Sequence, residues 1–246
     1  MRYLDLSLPT PAENLALDEA LLDEAEAAGR PMETLRTWES DRPMVVLGRS
    51  SRLDAEVHRD ACRALGIPIL RRPSGGAAVL AGPGCLMYAL VLSCRQRPAL
   101  RAVAAAHRTV LSTIAAALAP LVPDLHCDGT SDLVLGGRKV SGNSLRAKRE
   151  HLLYHGTLFY GFPLELIARC LAMPPRQPAY RGGRPHLDFL ANLPIPAAAL
   201  RQALRAAWNA DEPRADWPRA AVARLAAEHY NKVAWDGPPP AHPDGE

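Results

Sequence analysis

Arg71-Arg72-Pro73-Ser74-Gly75-Gly76-Ala77-Ala78-Val79 and, further along, Gly136-Gly137-Arg138-Lys139-Val140-Ser141-Gly142-Asn143-Ser144 carry most of the information in this 246-residue chain. Each sets guanidinium or ammonium charge beside glycines, with hydroxyls close by. Bare glycine backbone exposes its N–H groups, and compact cations reach the same oxygens, so both segments are equipped to hold a phosphate or an acyl-phosphate. Neither matches the Walker pattern or the dinucleotide pattern G-x-G-x-x-G, so any nucleotide chemistry here uses a different scaffold. Read alone, the first is a glycine turn with solvated arginines and the second an edge strand with an exposed lysine.

Strand and helix signals surround the two segments. Alternation predicts a strand over 2–8. Thr10, Pro11 and Glu13 make a capping box that opens a helix, with Leu17, Leu21 and Ala25 on one stripe and a stop at Gly29. Short strands are expected over 35–38 and 44–47. Val57, Ala61 and Leu65 share a helical face ending at Gly66, and a strand over 67–70 leads into the first glycine segment. The apolar run 86–92 reads as a strand buried on both faces. A helix over 101–118 turns Val103, Val110, Ile114 and Leu118 inward. Strands are expected over 132–135, 138–144 and 152–159, with Gly136-Gly137 as the tight turn between the first two. Helices follow over 164–171, 197–210 and 219–230, and residues 174–185 form a loop rich in proline, glycine and arginine. Strands joined by short turns, without a strict β-α-β rhythm, give an α+β fold: a mixed, largely antiparallel sheet flanked by helices.

Bulk composition narrows the function. The net charge of +3 is too small to argue for nucleic acid. No apolar run approaches the roughly 20 residues of a membrane span, and the first residues lack a signal peptide's apolar stretch. Cys62, Cys85, Cys94, Cys127 and Cys170 are odd in number, with no C-x-x-C pair, which points away from a disulfide framework or zinc site and towards a cytoplasmic setting. His126, Cys127 and Asp128 are neighbours on an extended chain and point opposite ways, so no metal site is expected.

Among the candidate site residues, Lys139 needs a partner if it points inward, because an unpaired buried ammonium is costly. Ser141, two residues on, is expected on its face, and Gly142 to let a ligand approach the backbone. His155-Gly156-Thr157 interrupts the next strand and reads alone as a bulge with a satisfied histidine. Arg181, Arg184, His186 and Asp188 lie in or just after the long loop. Such a cluster is ordinarily a self-paired turn, and a loop of that length is also a candidate lid or substrate clamp.

In order, these segments resemble the lipoate–protein ligase and octanoyltransferase family, relatives of biotin–protein ligase. Arg36-Thr37-Trp38 and residues 45–50 look like its first strands, residues 67–76 like its signature glycine loop, Asp132-Leu133-Val134 with residues 138–143 like its lysine segment, His155-Gly156-Thr157-Leu158 like the following strand, and residues 229–235 like its closing motif. The resemblance implies a biotin/lipoyl ligase-like, class II synthetase-like catalytic domain over 1–235; residues 236–246, with four prolines and no large apolar residue, are expected to be a disordered tail, and no separate C-terminal accessory domain is expected. It implies lipoate or octanoate as substrate, ATP and Mg²⁺ as co-substrates, and an acyl-adenylate. The acceptor would be a lysine on the lipoyl carrier domain of a 2-oxoacid dehydrogenase or on the glycine cleavage H protein. Lys139 would be catalytic, between acyl carbonyl and α-phosphate; Arg72, Ser74, Gly75, Gly76, Ala77, Ser141, Gly142, Gly156 and Thr157 would bind substrate or nucleotide.

Departures keep other routes open. The family's third glycine is Ala77 here, its His-Asp pair falls on Ala81 and Gly82, and an asparagine falls on Cys85. Activation then proceeds without those contacts, draws on a separate accessory subunit, or uses no ATP. The last option is an octanoyltransferase working through a cysteine thioester, with Cys127 or Cys85 as nucleophile. A non-catalytic acyl- or carrier-binding protein is the third alternative.

Overall fold

The computed structural model describes residues 1–230. The tail expected over 236–246, and most of the closing motif over 229–235, lie outside the described residues. In chain order the elements begin β1 (Arg2–Asp5), α1 (Pro11–Ala27), β2 (Thr34–Trp38), β3 (Met44–Leu47), α2 (Leu53–Glu56), α3 (Arg59–Ala64), β4 (Ile69–Arg71), β5 (Val79–Ala81) and β6 (Cys85–Ser93). They continue through α4 (Val103–Leu118), β7 (His126–Asp128), β8 (Asp132–Leu135), β9 (Arg138–Ala147), β10 (His151–Phe159), α5 (Leu164–Cys170), α6 (His186–Phe189), α7 (Ala197–Ala207), β11 (Glu212–Pro213) and α8 (Arg219–Leu225). Among the described residues no helix is long and apolar enough to cross a membrane.

The eight-stranded sheet runs β11-β1-β2-β6-β10-β9-β8-β7, and a three-stranded sheet runs β4-β3-β5. The large sheet is antiparallel except where β1 meets β11 and β2. In the small one β3 is parallel to β4 and antiparallel to β5. This is the α+β, largely antiparallel architecture expected.

Strand alternation splits the interior into two cores. On β6, Leu86, Tyr88, Leu90 and Leu92 enter one core with α4 and α7. Cys85, Met87, Ala89 and Val91 enter the other, with α1, α8 and the small sheet. Each fully buried leucine contributes roughly 1.5–3 kcal/mol, so the two-sided β6 is a main anchor of the fold. The capping box forms as read: Glu13 N donates to Thr10 Oγ1 at 3.2 Å and Thr10 N to Glu13 Oε2 at 3.0 Å. Gly136 and Gly137 adopt φ +57° and +71°, the turn that joins β8 to β9.

Several local expectations fail for tertiary reasons. The helix through Val57, Ala61 and Leu65 is two short helices. Val57 sits in a β-bridge with Leu171, and His58 N donates to Cys170 O at 2.8 Å. Leu65 is 37% exposed, and Val103, the first residue of α4, is 55% exposed rather than inward. The short strands β5, β7 and β11 lack enough residues to show a period in sequence.

Candidate active site

The glycine loop joins β4 to β5 and is stitched to the end of β3. Arg72 N donates to Leu47 O at 2.9 Å and Arg49 N to Ser74 O at 2.8 Å. A Cβ on Gly48 would meet Gly76 O at 1.9 Å, so only glycine allows this crossing. Arg72 holds the loop from inside. Its Nε donates to Ser74 Oγ (3.1 Å), Nη1 to Val46 O (3.0 Å), and Nη2 to Gly75 O (2.6 Å) and Ala77 O (3.0 Å). Burial pushes its pKa down to about 10. Most of its donors are thus committed to loop and strand, although the side chain also borders a cavity beside Lys139.

Ser74 Oγ lies 2.5 Å from His155 Nε2, and His155 Nδ1 is 4.0 Å from Asp18 Oδ2 on α1. Asp18 is in turn fixed by Arg36 Nη1 at 2.5 Å and Trp38 Nε1 at 3.3 Å. The loop is therefore braced through β10 to α1 and β2. Ser144 Oγ adds a bond to Gly75 O at 2.9 Å.

Lys139 is turned inward. Its side chain is 24% exposed, and its Nζ pairs with Asp132 Oδ1 at 2.8 Å. Tyr180 OH donates to Asp132 Oδ2 at 2.8 Å, so the carboxylate is held at both oxygens. Gly142 makes room for the amine, since a Cβ there would lie 3.0 Å from Lys139 Nζ. Three cavities meet at Lys139. One is walled by Leu15, Val46, Val79, Met87 and His155. A second runs along Phe159, Ile167, Leu171 and Phe189. The third is a polar mouth bearing Ser51, Arg52, Thr130, Ser131 and Arg176. Gly76 lines the first and third, Ala77 all three, and Thr157 the first two.

Other expected residues are placed differently. Ser141 does not share the face of Lys139. A bulge in the β8–β9 ladder opposes Val134 to Lys139 but Leu133 to Ser141, which carries Ser141 across the strand. Ser141 is fully buried, pairs with Asn143 and lines none of these cavities. Residues 155–157 are no bulge, because β10 pairs with β6 without a break from His151 to Phe159. Gly156 is bare for packing, since a Cβ would meet Asn143 Oδ1 at 1.7 Å. Asn143 Oδ1 there accepts from Tyr88 OH at 2.5 Å.

Neither candidate cysteine lines these cavities. Cys85 is fully buried beside Met87, and burial pushes its thiol up. Cys127 is exposed on the outermost strand of the large sheet, and desolvation raises its thiol too. Among the described residues no three His, Cys, Asp or Glu groups gather as metal ligands.

Two residues at the site had no role in the sequence reading. Asp132 lay inside a quoted motif. Glu56, buried at the end of α2, accepts from Ala78 N at 2.6 Å and from Ser51 Oγ at 3.1 Å, and lines two of the cavities. No spacing rule links a four-residue helix to a loop so far along the chain.

The family model for the lipoyl protein ligase A/B catalytic domain matches residues 10–194. The chain belongs to that family. It is 33% identical, over 61% of its length, to an octanoyl-[GcvH]:protein N-octanoyltransferase of Kyrpidia tusciae, and spans 57% of that protein. It is 32% identical, over 69% of its length, to the octanoyltransferase LipM of Carboxydothermus hydrogenoformans, of which it spans 68%. Its fold matches the bi-partite lipoate protein ligase of Thermoplasma acidophilum, solved as part of a lipoylation system with its E2 lipoyl domain. That match has a TM-score of 0.72 at 22% identity and covers 92% of this chain and 90% of the other.

Proposed function

We propose that this lipoyl ligase-family protein is an acyltransferase that attaches octanoate or lipoate to a lysine of a lipoyl carrier domain through an acyl-adenylate. The observation that carries the proposal is the position of the Lys139 ammonium at the junction of two cavities, with no cysteine on their walls. The apolar cavity along Leu15, Val46 and Met87 takes the acyl chain, which places its carboxyl at Lys139. The branch along Phe189 takes the activating group, and the polar mouth admits the acceptor lysine.

The carboxylate oxygen attacks the α-phosphorus of ATP, and pyrophosphate leaves. The neutral acceptor amine then attacks the acyl carbonyl, AMP leaves with the C–O electron pair, and the proton lost from the nitrogen passes to solvent. In both steps negative charge grows on oxygens beside Lys139. A pre-placed cation there is worth a few kcal/mol, roughly 10²–10³ in rate. Mg²⁺ would be met at the mouth by the carboxylates of Glu56 and Asp132, and would supply charge neutralisation for the leaving pyrophosphate.

Relatives named as octanoyltransferases favour a second reading, in which an octanoyl group passes from a carrier thioester through Cys127, the exposed cysteine. Incubating the protein with an apo lipoyl domain separates the two. Octanoylation of the domain from octanoate, requiring ATP and releasing AMP, supports the adenylate route. Octanoylation from an octanoyl-carrier protein without ATP, lost in Cys127→Ser, supports the thioester route.

A further inference from the structure

The branch cavity along Phe189 is lined by a cation, Arg181, that has no counter-ion among the described residues. Arg181 is 3% exposed and lines this cavity together with His186. Its Nε donates to Arg184 O at 2.9 Å, and its Nη2 approaches Met173 Sδ at 3.1 Å and His186 Nδ1 at 3.4 Å. The guanidinium lies over the Phe189 ring, 4.6 Å from its centroid. All of these partners are neutral. His186 sits with Nε2 3.2 Å from Ala172 O, and burial favours its uncharged form, so Nδ1 is an acceptor for Arg181. Among the described residues, Nη1 of Arg181 makes no hydrogen bond, and no carboxylate lies within ion-pair distance of the side chain.

Other buried arginines are compensated. Arg36 has Asp18, and Arg214 has Glu24. Arg72, also without a paired carboxylate, donates to a hydroxyl and three carbonyls of its own loop and strand. Burying a charge without a partner costs several kcal/mol on the order expected for one desolvated ion, so a fold that keeps one gains by presenting it to a ligand. Phe159, Ile167, Leu171 and Leu190 give this cavity an apolar wall, with Glu56, Lys139, Thr157 and His186 as its other polar groups, and that wall suits the body of a molecule whose anionic end meets Nη1.

We infer that Arg181 is an anion site that binds a phosphate on the activating group of the acyl donor. The inference rests on the acyl-transfer reading above. The acyl carboxyl lies at Lys139, so a second anion in the adjoining branch belongs to the group that activates it. A nucleotide and a phosphopantetheine arm both supply such a phosphate, and both carry a body able to lie along the apolar wall.

Calorimetric titration of the whole chain with AMP, adenosine, 4′-phosphopantetheine, pantetheine and octanoate tests the site. At least one phosphorylated probe binds tenfold or more tightly than its dephosphorylated counterpart, and which one does so identifies the donor class. Arg181→Gln abolishes that difference, Arg181→Lys keeps part of it, and octanoate binding is unchanged in both. Because the native charge is uncompensated, Arg181→Gln keeps or raises the thermal midpoint. A phosphate that adds nothing to affinity, or an advantage that survives in Arg181→Gln, overturns the assignment. So does an Arg181→Gln protein that melts lower and loses octanoate as well, since that is the signature of a structural arginine. Failure of the wild type to bind octanoate contradicts the acyl cavity at Lys139 instead, which keeps the two readings apart.

Discussion

Lys139 Nζ and Asp132 Oδ1 are 2.8 Å apart, on neighbouring strands that a bulge has shifted out of simple register. Without the bulge, strand alternation would set Lys139 and Ser141 on one face. With it, the amine enters the cavity while Ser141 is buried behind. The carboxylate, held also by Tyr180, orients the amine without covering it. Asp132→Asn keeps the size and the bond from Tyr180 and removes the charge. It should lower kcat about tenfold to a hundredfold with little change in the KM for octanoate, because orientation of a charge-stabilising group acts on the transition state. Steady-state kinetics on the lipoyl domain check this; a KM effect alone would count against the role.

Two glycines close in sequence to the site should separate stability from activity. At Gly156, an added Cβ meets Asn143 Oδ1 at 1.7 Å, within a packed layer under Tyr88. Gly156→Ala should cost about 1–3 kcal/mol of stability by overpacking. At Gly142 the added Cβ meets the flexible end of Lys139 at 3.0 Å. Gly142→Ala should leave the thermal midpoint nearly unchanged and reduce kcat by displacing the amine. Melting curves and rates measured on both variants decide the matter.

Arg72 is the internal brace of the glycine loop. Arg72→Lys cannot reach Val46 O, Gly75 O and Ala77 O together. With roughly 1–3 kcal/mol for each buried carbonyl left unpaired, partly offset by relaxation, the variant should lose about 2–4 kcal/mol in a urea titration. A midpoint within error of wild type would show that the loop holds without it.

The cysteines make a sharp chemical prediction. Cys127→Ser and Cys85→Ser should each retain ATP-dependent octanoylation within about twofold, since neither thiol lines the cavities and desolvation raises both thiols, full for Cys85 and partial for Cys127, which disfavours the thiolate. Loss of transfer in Cys127→Ser, with the fold intact by circular dichroism, would favour the thioester route.

Burial pushes the pKa of both His107 and His186 down, so the folded state keeps them neutral. Above the ordinary histidine value of about 6.5 both folded and unfolded chains carry neutral imidazoles, and this contribution to stability is fully present. As pH falls below that value the unfolded chain takes up protons first, and stability declines. The thermal midpoint should therefore drop between pH 7 and 5, less steeply in His107→Gln. Parallel profiles for the variant and wild type would rule His107 out as a contributor.

Much of this was legible in the chain. The capping box at Thr10, the two-sided strand β6 and the paired glycines before Arg138 are local signals that tertiary context did not override. The glycine loop and Lys139 stood out as candidates because charge, glycine and hydroxyl recur together, and the fold brings Gly76, Ala77 and Lys139 to one cavity. What stayed hidden depends on long-range geometry. The bulge at Lys139 is a property of two strands. One partner of Glu56, Ala78, lies on a distant loop, and a self-paired turn is indistinguishable in sequence from the buried Arg181, which lacks a carboxylate partner among the described residues. The reading that a histidine bulge breaks β10 failed because glycine in a strand also serves close packing, as at Gly156.

The central claim is that the Lys139 ammonium promotes acyl activation in this cavity. Octanoylation of an apo lipoyl domain, followed by intact mass with AMP counted in parallel, tests it most directly in wild type and Lys139→Ala. The account predicts one AMP for each octanoyl group transferred by wild type, and a rate lower by at least about a hundredfold in a variant that is fully folded. Equal rates in the two proteins would contradict it.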